Sequence, residues 1–400
     1  MSVLNFAFFR WRVLANNLLL ILISISIIFL RPSIIGERFG FVVVPMVIFL
    51  SFIYLYGKKF QITIKSKIML VSIMIFIIYI AVQSLFTAIK IRPVLSSLST
   101  LSILIPIFVL LTSENKFIIV FHKTLIILLV MLVVSSIITY LMQILHVEIN
   151  FSAIQTHQNG AAVGKYASIY FPFSISGANK FYFNQDFSLE RSFGIFREPG
   201  VYQMYLIYGY FLLSYNLIIF RYQKIFSYLM ILGIFSTFSG AGIFSFLFLL
   251  IMRHILTRFN VKNLLILLLM LLLIIYFFNF LEILMNARIH SVSFSDRFGS
   301  LMNILKENEL SLIFGVGYLQ NVNDISTVNL LGSVSTIGLL GLILYLLPWA
   351  NILFNFKVYK VILISPFFLT LLFAQPIYTD PIIFLILCIS TQNFGKVKSG

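Results

Sequence analysis

Residues 191–219 read RSFGIFREPGVYQMYLIYGYFLLSYNLII, and this stretch decides what kind of chain this is. Its first ten residues combine two arginines and Glu198 with a terminal Pro199-Gly200. The apolar run that follows is long enough to cross a bilayer, which takes about 20 residues of helix. Ionisable groups beside a bilayer are costly unless they are paired or in contact with water. The charged packet at the start of this run is therefore the first place to look for chemistry.

The rest of the chain has the same apolar character. Of its 400 residues, 60% are hydrophobic and only 10% are charged, a balance that soluble domains do not have. We predict an all-α polytopic membrane protein that forms a single integral membrane domain over residues 1–400. The first apolar run, 13–30, follows Arg10 and Arg12 and has no small-residue cleavage site after it, which predicts an uncleaved signal anchor.

Apolar runs and their interruptions predict twelve transmembrane helices. Two long runs are divided into hairpins, because Ser239-Gly240-Ala241-Gly242 interrupts the first, and Gln375-Pro376 and Asp380-Pro381 interrupt the second. Proline breaks the helical hydrogen-bond ladder and excludes the preceding residue from the helical region. The predicted helices are 13–30, 39–56, 68–89, 93–112, 124–145, 199–219, 225–238, 241–252, 263–281, 329–348, 361–376 and 381–393.

The basic residues favour this division over one long helix in each run. With both runs divided, 17 of the 28 Lys and Arg residues lie in cytoplasmic segments and the remaining 11 lie outside, as the positive-inside rule requires. An undivided 225–252 would move Arg253, Arg258 and Lys262 outside. We therefore predict that both termini are cytoplasmic. The net charge of +16 comes mainly from short basic loops that face anionic lipid, so we predict no nucleic-acid partner.

Two long loops, 146–198 and 282–328, are predicted on the extracytoplasmic face, where all the acids except Glu114 lie. The first loop is rich in Tyr and Phe, which disordered segments lack. Such rings settle at the membrane interface and can also stack on sugars. His157 is predicted to be a solvated loop residue. No second His or Cys stands at metal-ligand spacing, so we predict no bound metal and no cofactor.

The first loop ends at a predicted helix mouth. Pro199 suits the first helical position and pushes Glu198 into an extended conformation. Backbone N–H groups at such a mouth favour anions, and Arg191 and Arg197 add fixed positive charge that matches phosphate. This arrangement predicts a site for a diphosphate, with Glu198 as the leading candidate for proton transfer. The alternative is that Glu198 only caps the helix and pairs with Arg197.

The second loop carries further candidates. Arg297 is a candidate for another cationic site, with Arg288 in the same loop, and Asp296 and His290 are further catalytic candidates after Glu198. Asp296 and Arg297 also read as a surface ion pair. The following Gly315-Val316-Gly317 is predicted as a turn, with direct phosphate binding as the alternative.

The motif Arg191-x-x-Gly194-x-Phe196-x-Glu198-Pro199-Gly200 resembles the end of the large periplasmic loop of bacterial O-antigen polymerases, which share a superfamily with O-antigen ligases. The 239–242 break, the Asp296-Arg297 pair before Gly315-x-Gly317, and Asn329 with Gly338 are similar as well. The Arg288–Gly299 spacing resembles a repeat of these loops, although Tyr202 takes the glycine position after Arg191. The resemblance implies about twelve transmembrane helices, two large periplasmic loops and a GT-C-like glycosyltransferase architecture.

The resemblance also implies a function. Such enzymes join oligosaccharide repeat units carried on undecaprenyl diphosphate into a surface polysaccharide, at the periplasmic face of the bacterial inner membrane. No metal or cofactor is expected here, because arginines can stabilise the charge without a metal. A chain-length regulator protein is an implied partner besides the lipid-linked substrates and the bilayer. The loop arginines, here Arg191, Arg197, Arg288 and Arg297, would hold the diphosphates.

Three other classes of protein are weighed against this expectation. O-antigen ligases carry a His-Asn pair at the span after the second loop, whereas Val328 precedes Asn329 here. A lipid-linked oligosaccharide transporter would share the broken helices and intramembrane prolines, but it would place ionisable residues near mid-membrane. A purely structural membrane subunit would not need two polar loops of this kind.

Overall fold

A computed structural model describes most of the chain. The described residues are 3–56, 58, 64–88, 91–113, 115–147, 150–156, 165–170, 174–182, 188–257, 309–317, 330, 332–354, 357–373, 377 and 379–391. Over these residues the chain is a mainly helical membrane protein, as predicted. The helices are α1 (Val3–Ile28), α2 (Ile34–Arg38), α3 (Gly40–Leu55), α4 (Ile64–Ala88), α5 (Ile91–Ser113), α6 (Asn115–Ile144), α7 (Pro199–Ser214), α8 (Gln223–Ser236), α9 (Gly240–Thr257), α10 (Glu309–Phe314), α11 (Val334–Phe354), α12 (Val358–Phe373) and α13 (Pro381–Thr391).

Eleven of the twelve predicted transmembrane ranges coincide with one of these helices, and the range 263–281 lies outside the described residues. Within the described part, four helical stretches are long and apolar enough to cross a membrane, namely 66–86, 94–111, 116–144 and 334–352. Six shorter apolar helices accompany them. The number of crossings and the GT-C-like architecture stay predictions.

Both predicted hairpins are pairs of separate helices. The first pair, α8 and α9, is interrupted between Ser236 and Gly240, where Phe238 has a φ of 48°. In the second pair, α12 ends at Phe373 and α13 begins at Pro381. Pro381 opens α13 as Pro199 opens α7, because proline is compatible with the first turn of a helix and lacks the N–H that would be unpaired there.

The helix α7 lies at the centre of the bundle. Twelve of its sixteen residues are buried, and it packs against α6, α8, α9 and α12. The rings of Tyr205 and Tyr208 meet Phe367 of α12 edge-on, with centroids 5.6 and 5.2 Å apart. A helix that is apolar all round must be surrounded by protein or lipid. Because protein surrounds α7, its first residues are held at a fixed position in the bundle.

A four-stranded antiparallel sheet lies within the first long loop, and it was not predicted from the sequence. Its strands are β1 (Asn150–Thr156), β2 (Lys165–Tyr170), β3 (Ser174–Tyr182) and β4 (Ser188–Gly194), in that order. Register shifts interrupt the β1–β2 and β3–β4 pairings. The last strand packs on α6 and α7 and leads directly into α7. The described strands of the first loop therefore form a sheet, and its last strand leads Arg191, Arg197 and Glu198 to the bundle.

Helix ends that the predicted topology places outside the membrane lie together. The Arg191 side chain reaches the carbonyl of Thr237 between α8 and α9, and the Arg197 side chain reaches Glu37 on α2. At the opposite ends, the Arg253 guanidinium lies 3.4 Å from the carbonyl oxygen of Ser214. These contacts place the start of α7 next to the α8–α9 junction and α2, and the ends of α7 and α9 next to each other, while the membrane side of each end stays a prediction.

Candidate functional site

The turn between α1 and α2 forms one wall of the candidate site. The Ser33 hydroxyl donates to the carbonyl of Phe29 at 2.6 Å and accepts the N–H of Gly36 at 2.9 Å, which caps α2. A side chain at Gly36 would meet the backbone nitrogen of Arg31 at 2.5 Å. Only glycine therefore allows α2 to fold back this closely on the end of α1, and this turn carries Arg31 and Glu37, two members of the cluster described below.

The segment after β4 pairs with this turn through its backbone. The N–H of Ile34 donates to the carbonyl of Ile195 at 2.9 Å, and the N–H of Arg197 donates to the carbonyl of Pro32 at 3.1 Å. Ser33 and Phe196 form an antiparallel bridge between these two bonds. Two chain segments about 160 residues apart in sequence are thus fixed to each other.

Phe196 anchors this segment to α7. Its side chain is fully buried, and its ring stacks on Tyr205 with a centroid distance of 4.4 Å and on Tyr202 at 5.9 Å. Aromatic pairs of this kind add roughly 0.5–1.5 kcal/mol beyond their burial. Because Phe196 is held by this packing, the backbone position of the next residue, Arg197, is fixed relative to α7.

Arg197 is the central residue of the site. One guanidinium nitrogen, Nη1, lies 3.4 Å from Oε1 of Glu37, and the two side chains are 15% and 27% exposed. The other two nitrogens, Nε and Nη2, are buried and have no hydrogen-bond partner among the described residues. A buried donor without a partner costs about 1–3 kcal/mol, and more when it is charged. Arg197 therefore retains two donors for a ligand with acceptor oxygens.

Asp380 is brought to the same place from the far end of the chain. Its side chain is 4% exposed, and its Oδ2 atom is buried without a hydrogen-bond partner in the described structure. Burial raises the pKa of Asp380 to about 6, while Arg197 and Arg31 act to lower it and Glu37 to raise it. For Arg197, burial lowers the pKa, but Asp380, Glu198 and Glu37 outweigh that effect and the pKa is raised. These five residues, Arg31, Glu37, Arg197, Glu198 and Asp380, are called the Arg197 cluster below.

Glu198 occupies the helix mouth that the sequence predicted. It precedes Pro199 in an extended conformation, with φ −152° and ψ 154°, and its carbonyl accepts the N–H of Tyr202 at 3.1 Å. Its side chain makes no capping hydrogen bond to α7. The alternative that Glu198 only caps the helix therefore lacks its expected hydrogen bond, although Glu198 does interact electrostatically with Arg197.

A second helix mouth lies beside that of α7. A side chain added at Gly200 would contact the hydroxyl of Ser239, which directly precedes α9, at 4.0 Å. Three small residues, Gly240, Ala241 and Gly242, open α9. The positive ends of two helix dipoles thus point to the same region, a combination that favours anions.

Arg191 has a different position from Arg197. It lies on β4, and its Nε donates to the carbonyl of Thr237 at 3.2 Å. Its neighbour Ser192 bonds to two residues of α6, through the Tyr140 hydroxyl at 2.9 Å and the Ser136 hydroxyl at 2.7 Å. Arg191 thus ties the sheet to the α8–α9 junction, next to the second helix mouth.

The remaining predicted site residues, Arg288, His290, Asp296 and Arg297, lie outside the described residues, as do His157, Gly299 and Asn329. The Gly315-Val316-Gly317 segment is described and packs against the start of α11. The N–H groups of Val316 and Gly317 donate to the carbonyls of Ser335 and Thr336 at 2.9 and 3.0 Å. These contacts fit the predicted turn, because they engage two of the N–H groups that a phosphate would use.

Three members of the Arg197 cluster were absent from the predicted site, namely Arg31, Glu37 and Asp380. One signal in the sequence pointed to Asp380, since Asp380-Pro381 repeats the acid–proline pair of Glu198-Pro199. The described residues contain no group of three or more His, Cys, Asp or Glu side chains that could hold a metal ion.

The chain matches no family model, no curated protein and no solved structure.

Proposed function

We propose that this protein is a polymerase that joins oligosaccharide repeat units carried on undecaprenyl diphosphate into a surface polysaccharide, at the periplasmic face of the bacterial inner membrane. The observation that carries the proposal is Arg197, whose Nε and Nη2 donors are buried without partners next to two helix mouths. Diphosphate oxygens are acceptors that match both the donors and the charge.

In this proposal the cluster stabilises charge as it develops. The donor sugar leaves its diphosphate, and negative charge develops on the departing oxygens. Arg197 and the N-terminal ends of α7 and α9 stabilise this charge. Arg191, Arg288 and Arg297 are the further diphosphate-binding residues that the sequence predicts. A hydroxyl of the incoming unit attacks the anomeric carbon, and its proton passes to a general base. The sequence predicts the Glu198 carboxylate for this role, with Asp296 and His290 as further candidates.

The test uses purified protein and a lipid-linked repeat unit isolated from cells that lack this chain. We expect the parent protein to produce a ladder of polymers on a gel. Arg197→Ala should lower the rate by about 100-fold or more, as removal of one charge-stabilising donor does elsewhere. Arg221→Ala is the matched control, since Arg221 lies at the opposite end of the bundle, between α7 and α8, against the ring of Tyr222. An absence of ladders with the parent protein would refute the proposed function.

A transporter of lipid-linked oligosaccharide is the second candidate, and one observation favours it. His122 of α6 and Tyr208 of α7 are buried inside the bundle, with the imidazole Nε2 2.7 Å from the tyrosine hydroxyl. Ionisable residues inside a bundle are typical of transport pathways. The same preparation in sealed vesicles distinguishes the two classes, because a transporter moves the lipid-linked unit across the bilayer without lengthening it.

A further inference from the structure

Among the described residues, the Asp380 side chain lacks a hydrogen-bond donor for its Oδ2 atom, whereas the Arg197 side chain lacks acceptors for Nε and Nη2. The carboxylate has a buried acceptor atom without a partner, and the guanidinium has two buried donors without partners. A phosphate oxygen of the donor together with a free hydroxyl of the acceptor would satisfy both residues at once. A diphosphate alone would satisfy only Arg197 and would be repelled by the Asp380 carboxylate.

A cleft next to Asp380 offers room for such a hydroxyl. It lies between α4, α5 and α13 and is small, with room for about one water molecule or one hydroxyl group. Thr379, the neighbour of Asp380, contributes to its wall together with the side chains of Phe76, Ile77, Ile80, Ser96, Thr100 and Phe384. Hydroxyl groups set among aromatic and aliphatic side chains are the usual composition of a small-ligand site, and the space suits one hydroxyl group of an acceptor rather than a whole sugar ring.

We propose that Asp380 is the residue that takes the proton from the acceptor hydroxyl, and that this hydroxyl reaches Asp380 beside the cleft lined by Thr379. This inference rests on the proposed polymerase function. The acceptor oxygen forms a new bond to the anomeric carbon of the donor while the bond from that carbon to the diphosphate oxygen breaks. The electron pair of the broken bond stays on the diphosphate, where Arg197 stabilises it, and the proton goes to Oδ2 of Asp380 and then to water.

The structure favours Asp380 over Glu198 for this role because of burial. Asp380 is 4% exposed with an unpartnered oxygen, whereas Glu198 is only half-buried. A base works best when its pKa lies near the working pH, and the pKa of Asp380 is about 6. The described ionisable groups that act on Asp380 are Arg31 and Glu37 from the α1–α2 turn, Arg197, and Tyr205 on α7.

The experiment compares Asp380→Asn, Asp380→Glu and Glu198→Gln with the parent protein in the ladder assay, over a range of pH. We expect Asp380→Asn to lower the turnover number by about 100-fold or more, with the KM for the lipid-linked unit changed less than threefold. Asp380→Glu should retain partial activity and move the acidic limb of the pH profile, which a purely structural role would not do. Glu198→Gln should keep more activity than Asp380→Asn.

The outcomes separate the two proposals. An inactive parent protein would refute the polymerase function itself. An active parent protein together with an Asp380→Asn variant of near-normal turnover would overturn the role of Asp380 alone. If Asp380→Asn cannot be purified, Asp380→Glu decides the matter, because an unchanged pH profile in that variant excludes Asp380 as the proton acceptor.

Discussion

Replacing Gly338 with alanine would force apart two backbone segments that the structure holds in direct contact. Gly338 has φ 73° and ψ 169°, a region that is essentially restricted to glycine and costs other residues about 1–3 kcal/mol. The added Cβ would also lie 2.3 Å from the carbonyl oxygen of Ile313 and 2.6 Å from the nitrogen of Gly315. Both are backbone atoms, so no side-chain rotation can relieve the overlap.

The magnitude follows from what must separate. Moving the turn away from α11 breaks the hydrogen bonds from Val316 to Ser335 and from Gly317 to Thr336, each worth about 1 kcal/mol. Tyr79 and Gln83 of α4 would each lose one contact as well, because each lies within hydrogen-bonding distance of the carbonyl of Phe314 and of a carbonyl of α11. With the backbone strain included, we expect Gly338→Ala to destabilise the protein by roughly 3–5 kcal/mol.

Thermal unfolding of the purified protein in detergent measures this loss. Gly40→Ala is the matched control, since an added Cβ at Gly40 meets no atom within 4 Å, and alanine is the better helix former by about 0.5–1 kcal/mol. A Gly338→Ala variant that melts with the parent protein would refute the backbone contact.

The remaining predictions concern the α7 mouth and Asp380. Gly242→Ala would place Cβ 1.7 Å from Oε1 of Gln203, whose amide donates to the carbonyl of Ile234. We therefore expect the variant to lose about 1–3 kcal/mol of stability in the same melting assay. Gly240→Ala is the control and should melt with the parent protein, because no atom lies within 4 Å of its added Cβ. Asp380 has its pKa raised from 3.8 to about 6, so the folded state binds its proton more tightly than the unfolded state, and stability falls as pH rises from 3.8 through 6. Asp380→Asn removes this penalty, so the free energy of unfolding of the variant should equal that of the parent near pH 4 and exceed it at pH 7.5 by about 3 kcal/mol. Equal melting temperatures of variant and parent at both pH values would contradict the buried position of Asp380.

The helices could be predicted because their signals are local. Apolar runs of sufficient length have few alternatives in a bilayer, and the breaks at 239–242 and 380–381 carry their own chemistry in glycine and proline. The sheet of the first loop could not be predicted in this way. Its strands depend on pairs such as Lys180 with Glu190, and strand formation follows such partners more than the preference of each residue.

In the candidate site, too, the residues that a local motif marks could be predicted and the others could not. Arg197 and Glu198 were predicted because one short motif contains both an arginine and an acid–proline helix start. Glu37 was not predicted, because nothing near it in sequence marks it, and its partner lies 160 residues away. Only the backbone pairing between the α1–α2 turn and the segment after β4 brings the two side chains together.

Asp380 shows how one local pattern gains its meaning from the fold. In both Glu198-Pro199 and Asp380-Pro381, proline places the acid just before a helix, beside the positive end of its dipole. The sequence supplies this pattern twice but does not relate the two copies. The bundle turns both toward Arg197, and it leaves Glu198 half-buried while it encloses Asp380. Since burial is the main cause of the raised pKa of Asp380, the difference between the two acids comes from packing around them, and a search for catalytic acids in such chains should compare every acid–proline helix start that shares one end of the bundle.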